Sequence, residues 1–355
     1  MTLVTLNVLK VLIPVALSFF IGISITPLLT HYLYKHKMWK KKAGKVDPSG
    51  HDTPIFNQLH AHKEVGTPRL GGIVIWGSVL LTVVVLYLLT IFFPSDLAEK
   101  LNFLSRNQTW VPFATLLFAS LVGLLDDWLE IGGTGGHIAG GMSFKKRLVI
   151  VLALGLVIAW WLFAKLDMNT IFIPFFGDLV IGWWIIPLFL LVITALFSSG
   201  VIDGLDGLAG GVMATIFASY AVIAFFENQI NLAAFCAAVA GGTLAFLWFN
   251  VPPARFYMSE TGILGLTTTL AVVAFLTHSV VVLPLIALPL VLTSLSDVIQ
   301  LSSKKLRGGK KVFRVAPLHH HFEALGWPAE KVVMRYWIIS VISAILGVII
   351  TLIGR

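Results

Sequence analysis

The chain is organised as apolar runs bounded by charged or turn-forming residues. They fall at about Val11–Tyr34, Gly72–Phe93, Trp110–Leu125, Leu148–Phe163, Trp183–Phe197, Leu208–Phe226, Leu232–Phe249, Ile263–Leu276, Val280–Leu301 and Trp337–Ile353. Runs of this kind supply the roughly 20 residues that a helix needs to cross a hydrocarbon core. The pattern therefore predicts an all-α polytopic membrane protein of about ten transmembrane helices, with both termini on the same side. The weakest joint is Thr277–His278, where two spans could be one long kinked segment. Between spans, FIPFFGDLVIGWW reads as a small hairpin near 171–182 on the outer surface. Neither an internal repeat nor a soluble domain is evident, so 1–355 reads as one integral membrane domain.

Composition agrees with this pattern. With 57% hydrophobic and 12% charged residues and a mean hydropathy of +0.92, the chain lies outside the range of soluble domains. The long first apolar stretch contains Pro14 and Pro27 and has no small-x-small cleavage site, so it reads as a span and not a removed leader. The single cysteine, Cys236, lies in an apolar run and can form no intrachain disulfide; it reads as a packing residue.

The net charge of +8 could suggest a nucleic-acid partner, but its placement argues for a membrane surface and no nucleic acid. Lys35 to Arg69 holds eight basic residues, Lys145 to Arg147 three, Arg255 one and Lys304 to Arg335 eight, twenty of the 25 in all. These are the odd-numbered loops. The positive-inside rule makes them cytoplasmic, at about 35–71, 126–147, 198–207, 250–262 and 302–335, and puts both termini outside.

Five acids stand at span ends on that same face: Asp126 and Asp127 in LLDDWLE, Asp203 and Asp206 in DGLDG, and Glu260 in MSETG. A single carboxylate at a helix end is often only an interfacial marker. Adjacent carboxylates at a low-dielectric rim repel, however, and a divalent cation is the least costly way to keep both ionised. Oxygen ligands favour Mg²⁺, which takes one or two carboxylates and completes its shell with water and substrate phosphate. Gly204, Gly207 and Gly210 allow close backbone approach, and a helix starting at about Leu208 would offer its N-terminus to phosphate. Phosphoryl transfer needs little beyond such a metal, a nucleophile held in line and cations around the leaving group.

The last cytoplasmic loop carries APLHHHFE after six basic residues. Three readings stay open for the histidines: phosphate or nucleotide binding, a turn held by Pro317, or metal. In an extended segment His319 and His321 would share a face and His320 would turn away. The preceding basic residues would meet anionic lipid headgroups or anionic substrates. The glycine-rich GGTGGHIAGGM lacks the strand–loop–helix context and Lys-Ser/Thr ending of a phosphate-binding loop.

Taken together, KEVGTPRLGG (63–72), LLDDW (124–128), DGLDGLA (203–209), LWFN (247–250), FYMSETG and APLHHHFE (316–323) resemble the polyprenyl-phosphate N-acetylhexosamine-1-phosphate transferase superfamily almost end to end. The HHH element is similar to its muramoyl-peptide branch. That resemblance implies a Mg²⁺-dependent enzyme of the bacterial cytoplasmic membrane with its active site facing the cytoplasm. It would transfer phospho-MurNAc-pentapeptide from UDP-MurNAc-pentapeptide to undecaprenyl phosphate, giving lipid I and UMP. By the same resemblance, Asp126, Asp127, Glu260 and His319 would be catalytic, with one of the two aspartates a base toward the lipid phosphate. Lys63, Thr67, Asp203, Asp206, Asn250, Tyr257, Gln300, His320 and His321 would bind substrate, Tyr257 by stacking on uracil. Glu260 and Asp203 would hold Mg²⁺. The resemblance alone suggests a homodimer among surrounding membrane lipids.

The chain departs from that pattern at three points: Gly200 takes an asparagine place, Glu130 replaces a common lysine, and Met258-Ser259-Glu260 stands for Met-Gly-Asp. The alternatives are transfer of another N-acetylhexosamine phosphate, a catalytically impaired lipid-binding relative, and a transporter. Against the transporter, Asp297, near the inner end of the ninth, is the only Asp, Glu, Lys or Arg inside a predicted span and no repeated halves are evident.

Overall fold

A computed structural model describes residues 2–41, 65–105, 107–133 and 141–355. In chain order the elements are α1 (Leu3–Lys35), α2 (Ile73–Phe92), α3 (Asp96–Leu101), α4 (Asn107–Gly132), α5 (Phe144–Lys165), β1 (Thr170–Ile173), β2 (Gly177–Val180), α6 (Ile185–Ser198), α7 (Leu208–Phe226), α8 (Ile230–Asn250), α9 (Ser259–Leu276), α10 (Leu283–Ile286), α11 (Leu288–Leu306), α12 (Leu318–Ala324) and α13 (Ala329–Ile353). The protein is an all-α polytopic membrane protein. Among the described residues, nine helices are long and apolar enough to cross a bilayer.

The ninth expected span, Val280–Leu301, is broken. It forms α10 and α11, each with a proline, Pro284 and Pro289, in its first turn. Proline lacks an N–H and crowds the carbonyl four residues back, so the second proline ends one helix and starts another. The pair still runs the length of the bundle. Thr277, just before it, accepts a bond from Arg355 at one end, while Ser296 and Gln300 bond Leu318 and Phe313 at the other. The doubtful joint at Thr277–His278 is a true break, because α9 stops at Leu276.

The expected hairpin is present as β1 and β2, antiparallel, with Thr170 opposite Val180 and Ile173 opposite Gly177. Phe175 N–H bonds the Gly354 carbonyl at 2.8 Å, which docks the turn beside the end of α13.

Helices α8 and α9 are buried nearly all round, which is the place for helices without a polar face. Two glycines let neighbours reach the first turn of α9. A side chain at Gly72, which precedes α2, would overlap the Gly262 backbone, and one at Gly123 in α4 would overlap the Glu260 carbonyl. Small residues at such crossings allow backbones to touch. They bring α2, α4 and the start of α9 together at the polar end of the bundle.

Candidate active site

Three consecutive residues at the start of α9 engage three different partners. Asp203 Oδ2 accepts from Ser259 N–H at 2.9 Å. Glu260 pairs with Arg147 through Oε1. Asp127 Oδ2 accepts from Thr261 N–H at 2.8 Å and from its hydroxyl at 2.5 Å. Two of these contacts use N–H groups that a helix N-terminus leaves without partners, where carboxylates are favoured. Ser259 itself has φ +56°, the left-handed region that a side chain occupies only at a cost.

Adjacent residues on a helix point about 100° apart, and Asp126 and Asp127 diverge accordingly. Asp126 accepts from Met142 N–H and lies 3.2 Å from Arg147, so Arg147 spans Asp126 and Glu260. Asp127 is fully buried, with Oδ1 3.7 Å from Arg69 and without a hydrogen bond. Glu130, one turn on and on the same face, takes Arg69 at 2.7 Å and lies 3.7 Å from Lys40.

The DGLDG loop is tied down at several points. Asp206 Oδ2 accepts from Ala254 N–H at 3.2 Å, and Gly207, at φ +81°, starts α7 with its N–H donating to Asn250 Oδ1 at 2.9 Å. Asn250 Nδ2 donates to the Phe256 carbonyl at 2.9 Å, so both ends of its buried amide are held by backbone. Gln300 is similarly committed, donating to the Phe313 carbonyl and accepting from Val312 and Phe313 N–H. Tyr257 is half-buried and its backbone pairs with Pro68 and Gly71, which holds the half-buried Thr67 beside it in the chain next to this turn. Lys63 lies outside the described residues.

The histidines correct the extended-chain expectation. They lie in the short helix α12, where successive side chains turn about 100° and not 180°. His319 and His320 are buried with their Nε2 atoms beside Gly204, whose lack of a side chain leaves room for both rings. His320 Nδ1 lies 2.7 Å from Glu323. His321 is the ring that turns away; its Nδ1 accepts from Arg314 N–H at 3.2 Å. Partial burial and the Arg314 charge keep His321 below the usual histidine range.

Glycosyl transferase family 4 matches residues 109–278, which run from the start of the DD helix to the end of α9. The phospho-N-acetylmuramoyl-pentapeptide-transferase of Chloroflexus aggregans is 33% identical over 97% of this chain and 90% of its own length. The transferases of the same name from Listeria innocua and Syntrophus aciditrophicus are each 32% identical, over 95% and 82% of this chain and 97% and 81% of their own lengths. The chain belongs to the phospho-N-acetylmuramoyl-pentapeptide-transferase family. As a member it is a glycosyl-phosphate transferase, built on a multi-pass membrane fold.

Two of the positions at which the sequence departs from the resembled pattern, Ser259 and Glu260, lie among the acids of this transferase's site. Ser259 brings a buried hydroxyl without a hydrogen-bond partner into a left-handed position, and Glu260 reaches Arg147. Gly200, at the asparagine place, lies against Ile263. Arg69, Arg147 and Thr261 are site residues that the sequence does not single out. In sequence the two arginines are loop charge, although Arg69 adjoins Thr67-Pro68 and Arg147 follows the glycine-rich segment, and Thr261 lies inside SETG.

The donors suit Mg²⁺ chemically. Asp126, Asp127, Asp203 and Glu260 offer hard oxygens, and Asp127 Oδ1 is buried without a hydrogen bond. Among the described residues no three His, Cys, Asp or Glu side chains form a ready metal cage, but Mg²⁺ needs only one or two carboxylates beside substrate phosphate. The residues present fit the ion on those terms.

Proposed function

We propose that the protein transfers phospho-MurNAc-pentapeptide from its UDP carrier to undecaprenyl phosphate, yielding lipid I and UMP in the first membrane step of peptidoglycan synthesis. The supporting observation is the start of α9, where Ser259, Glu260 and Thr261 gather Asp203, the Arg147–Asp126 pair and Asp127 at the basic end of the bundle. The excess of Lys and Arg there supports a cytoplasmic orientation in the inner membrane. A soluble nucleotide sugar and a lipid phosphate can meet at that surface.

In this reading a lipid-phosphate oxygen attacks the sugar-bearing phosphorus of the diphosphate. The new O–P bond forms as the bond to the UMP oxygen breaks, and that oxygen keeps the electron pair. A phosphate monoester is largely dianionic at neutral pH, so the nucleophile needs positioning more than activation. Asp127, whose Oδ1 has no hydrogen bond, takes the proton when the lipid phosphate arrives protonated. Arg69 supplies positive charge beside it. His319 and His320, set against Gly204, bind nucleotide phosphate, and Tyr257 stacks on uracil. Glu260 and Asp203 would hold Mg²⁺, which when bound neutralises the diphosphate charge.

The test is release of UMP by the purified full chain given UDP-MurNAc-pentapeptide, undecaprenyl phosphate and Mg²⁺. Turnover of UDP-GlcNAc in place of the muramoyl nucleotide would assign the chain to the other branch. Turnover unaffected by both Asp127→Asn and Glu260→Gln would sink the roles proposed for these two carboxylates.

A further inference from the structure

Arg147 stands in the first turn of α5, after the capping residue Ser143. That position is electrostatically wrong for a cation, because the N-terminal end of a helix carries partial positive charge. Its side chain is four-fifths buried, and the guanidinium reaches across to two other helices, lying 3.2 Å from Asp126 Oδ2 in α4 and bonded to Glu260 Oε1 in α9. A fixed cation thus already sits between two of the carboxylates at this site. Its Nε is buried without a hydrogen-bond partner. A purely structural pair would be expected to satisfy that donor, since a buried N–H left unmade is costly.

We propose that Arg147 is the resting counter-ion of Glu260 and Asp126, competing with the divalent cation for these carboxylates and released from Glu260 when the cation binds. The proposal rests on the reading that Glu260 takes a divalent cation. Glutamate at 260 makes the contact: an aspartate carboxylate would stop about one C–C bond, roughly 1.5 Å, short of the same point. The freed guanidinium has an unused Nε donor as well as its Nη groups, which suits a planar bidentate grip on incoming phosphate. Arg147 acts as a positioning residue, setting how tightly and when the cation enters.

The test is Mn²⁺ binding to the purified full-length chain, read from the loss of free-Mn²⁺ electron paramagnetic resonance signal without substrate. Arg147→Met and Glu260→Asp are each expected to bind Mn²⁺ on the order of tenfold more tightly than the parent chain. Arg147→Lys, which keeps the charge, should stay nearer the parent. Melting curves establish that each variant is folded, and the conservative Glu260→Asp carries the test if Arg147→Met is not. Affinity unchanged or weakened in the folded variants would overturn the proposal, as would absence of Mn²⁺ binding in every form. UMP release is assayed separately: tighter Mn²⁺ binding without any UMP release would count against the proposed reaction and leave the counter-ion role standing.

Discussion

Both ends of the helix bundle hold an arginine against a buried carboxylate, but they do so differently. At the end away from the acids, Glu227 pairs with Arg355 through Oε1 and accepts from Gln229 Nε2 through Oε2 at 3.3 Å. Arg355 also bonds the Thr277 carbonyl at 3.1 Å, and Gln229 bonds that of Leu276 at 2.9 Å. One acid faces one arginine there, and the polar groups on both sides are occupied. At the acidic end, Arg147 is shared between Asp126 and Glu260, Arg69 lies between Asp127 and Glu130, and Asp127 Oδ1 has no hydrogen bond. A closed pair holds helices together. An oversubscribed one leaves carboxylate capacity for a ligand, and only the second arrangement suits phosphoryl transfer.

Substitutions should separate the two ends. Asp127→Asn, at the acidic end, should lower UMP release most below about pH 6, where the lipid phosphate arrives protonated, by about 10²-fold, the lower end of what a positioned proton acceptor contributes, with little change in melting. The closed end should respond in stability. Burial pushes Glu227 up from 4.5 to about 7 despite the opposing pull of Arg355. The folded state therefore binds more protons at this group than the unfolded chain does between those values, so the contribution of Glu227 to stability is fullest below pH 4.5 and is lost as pH rises to about 7. The loss is at most about 3 kcal/mol, and Glu227→Gln should remove this slope in unfolding titrations at several pH values. Arg355→Ala should cost about 2 kcal/mol, less than a fully buried pair because Arg355 is 33% exposed. The smallest effect is expected where strain meets the site. Ser259→Gly relieves a left-handed φ and removes an unbonded hydroxyl, and should raise stability by about 1 kcal/mol in thermal unfolding, whereas Ser259→Ala keeps the strained backbone and should gain less.

Much of this architecture is legible in the sequence because membrane spans announce themselves by local composition. The hairpin, the start of α7 at Leu208 and the gathering of acids at one end follow from runs of residues read in order. The broken ninth span is less legible, since Pro284 and Pro289 would be tolerated in an intact membrane helix whose freed carbonyls find other partners. The histidine orientation is not legible, because the seven residues of α12 carry too little periodicity to separate a short helix from extended chain. Arg69 and Arg147 escape for a different reason. Their partners at Glu130 and Glu260 are 61 and 113 residues away, and loop charge says nothing about which carboxylate a basic residue will meet.

The run Ser259-Glu260-Thr261 has a consequence for how this site can vary. Three neighbouring residues index three separate groups, so a one-residue slip at the start of α9 would misalign Asp203, Arg147 and Asp127 in a single event. Paired substitutions among these positions should accordingly fall short of the sum of their separate losses. The spacing is an alignment mark for the whole centre, and insertions or deletions between Tyr257 and Gly262 should be far less tolerable than a change in any one side chain there.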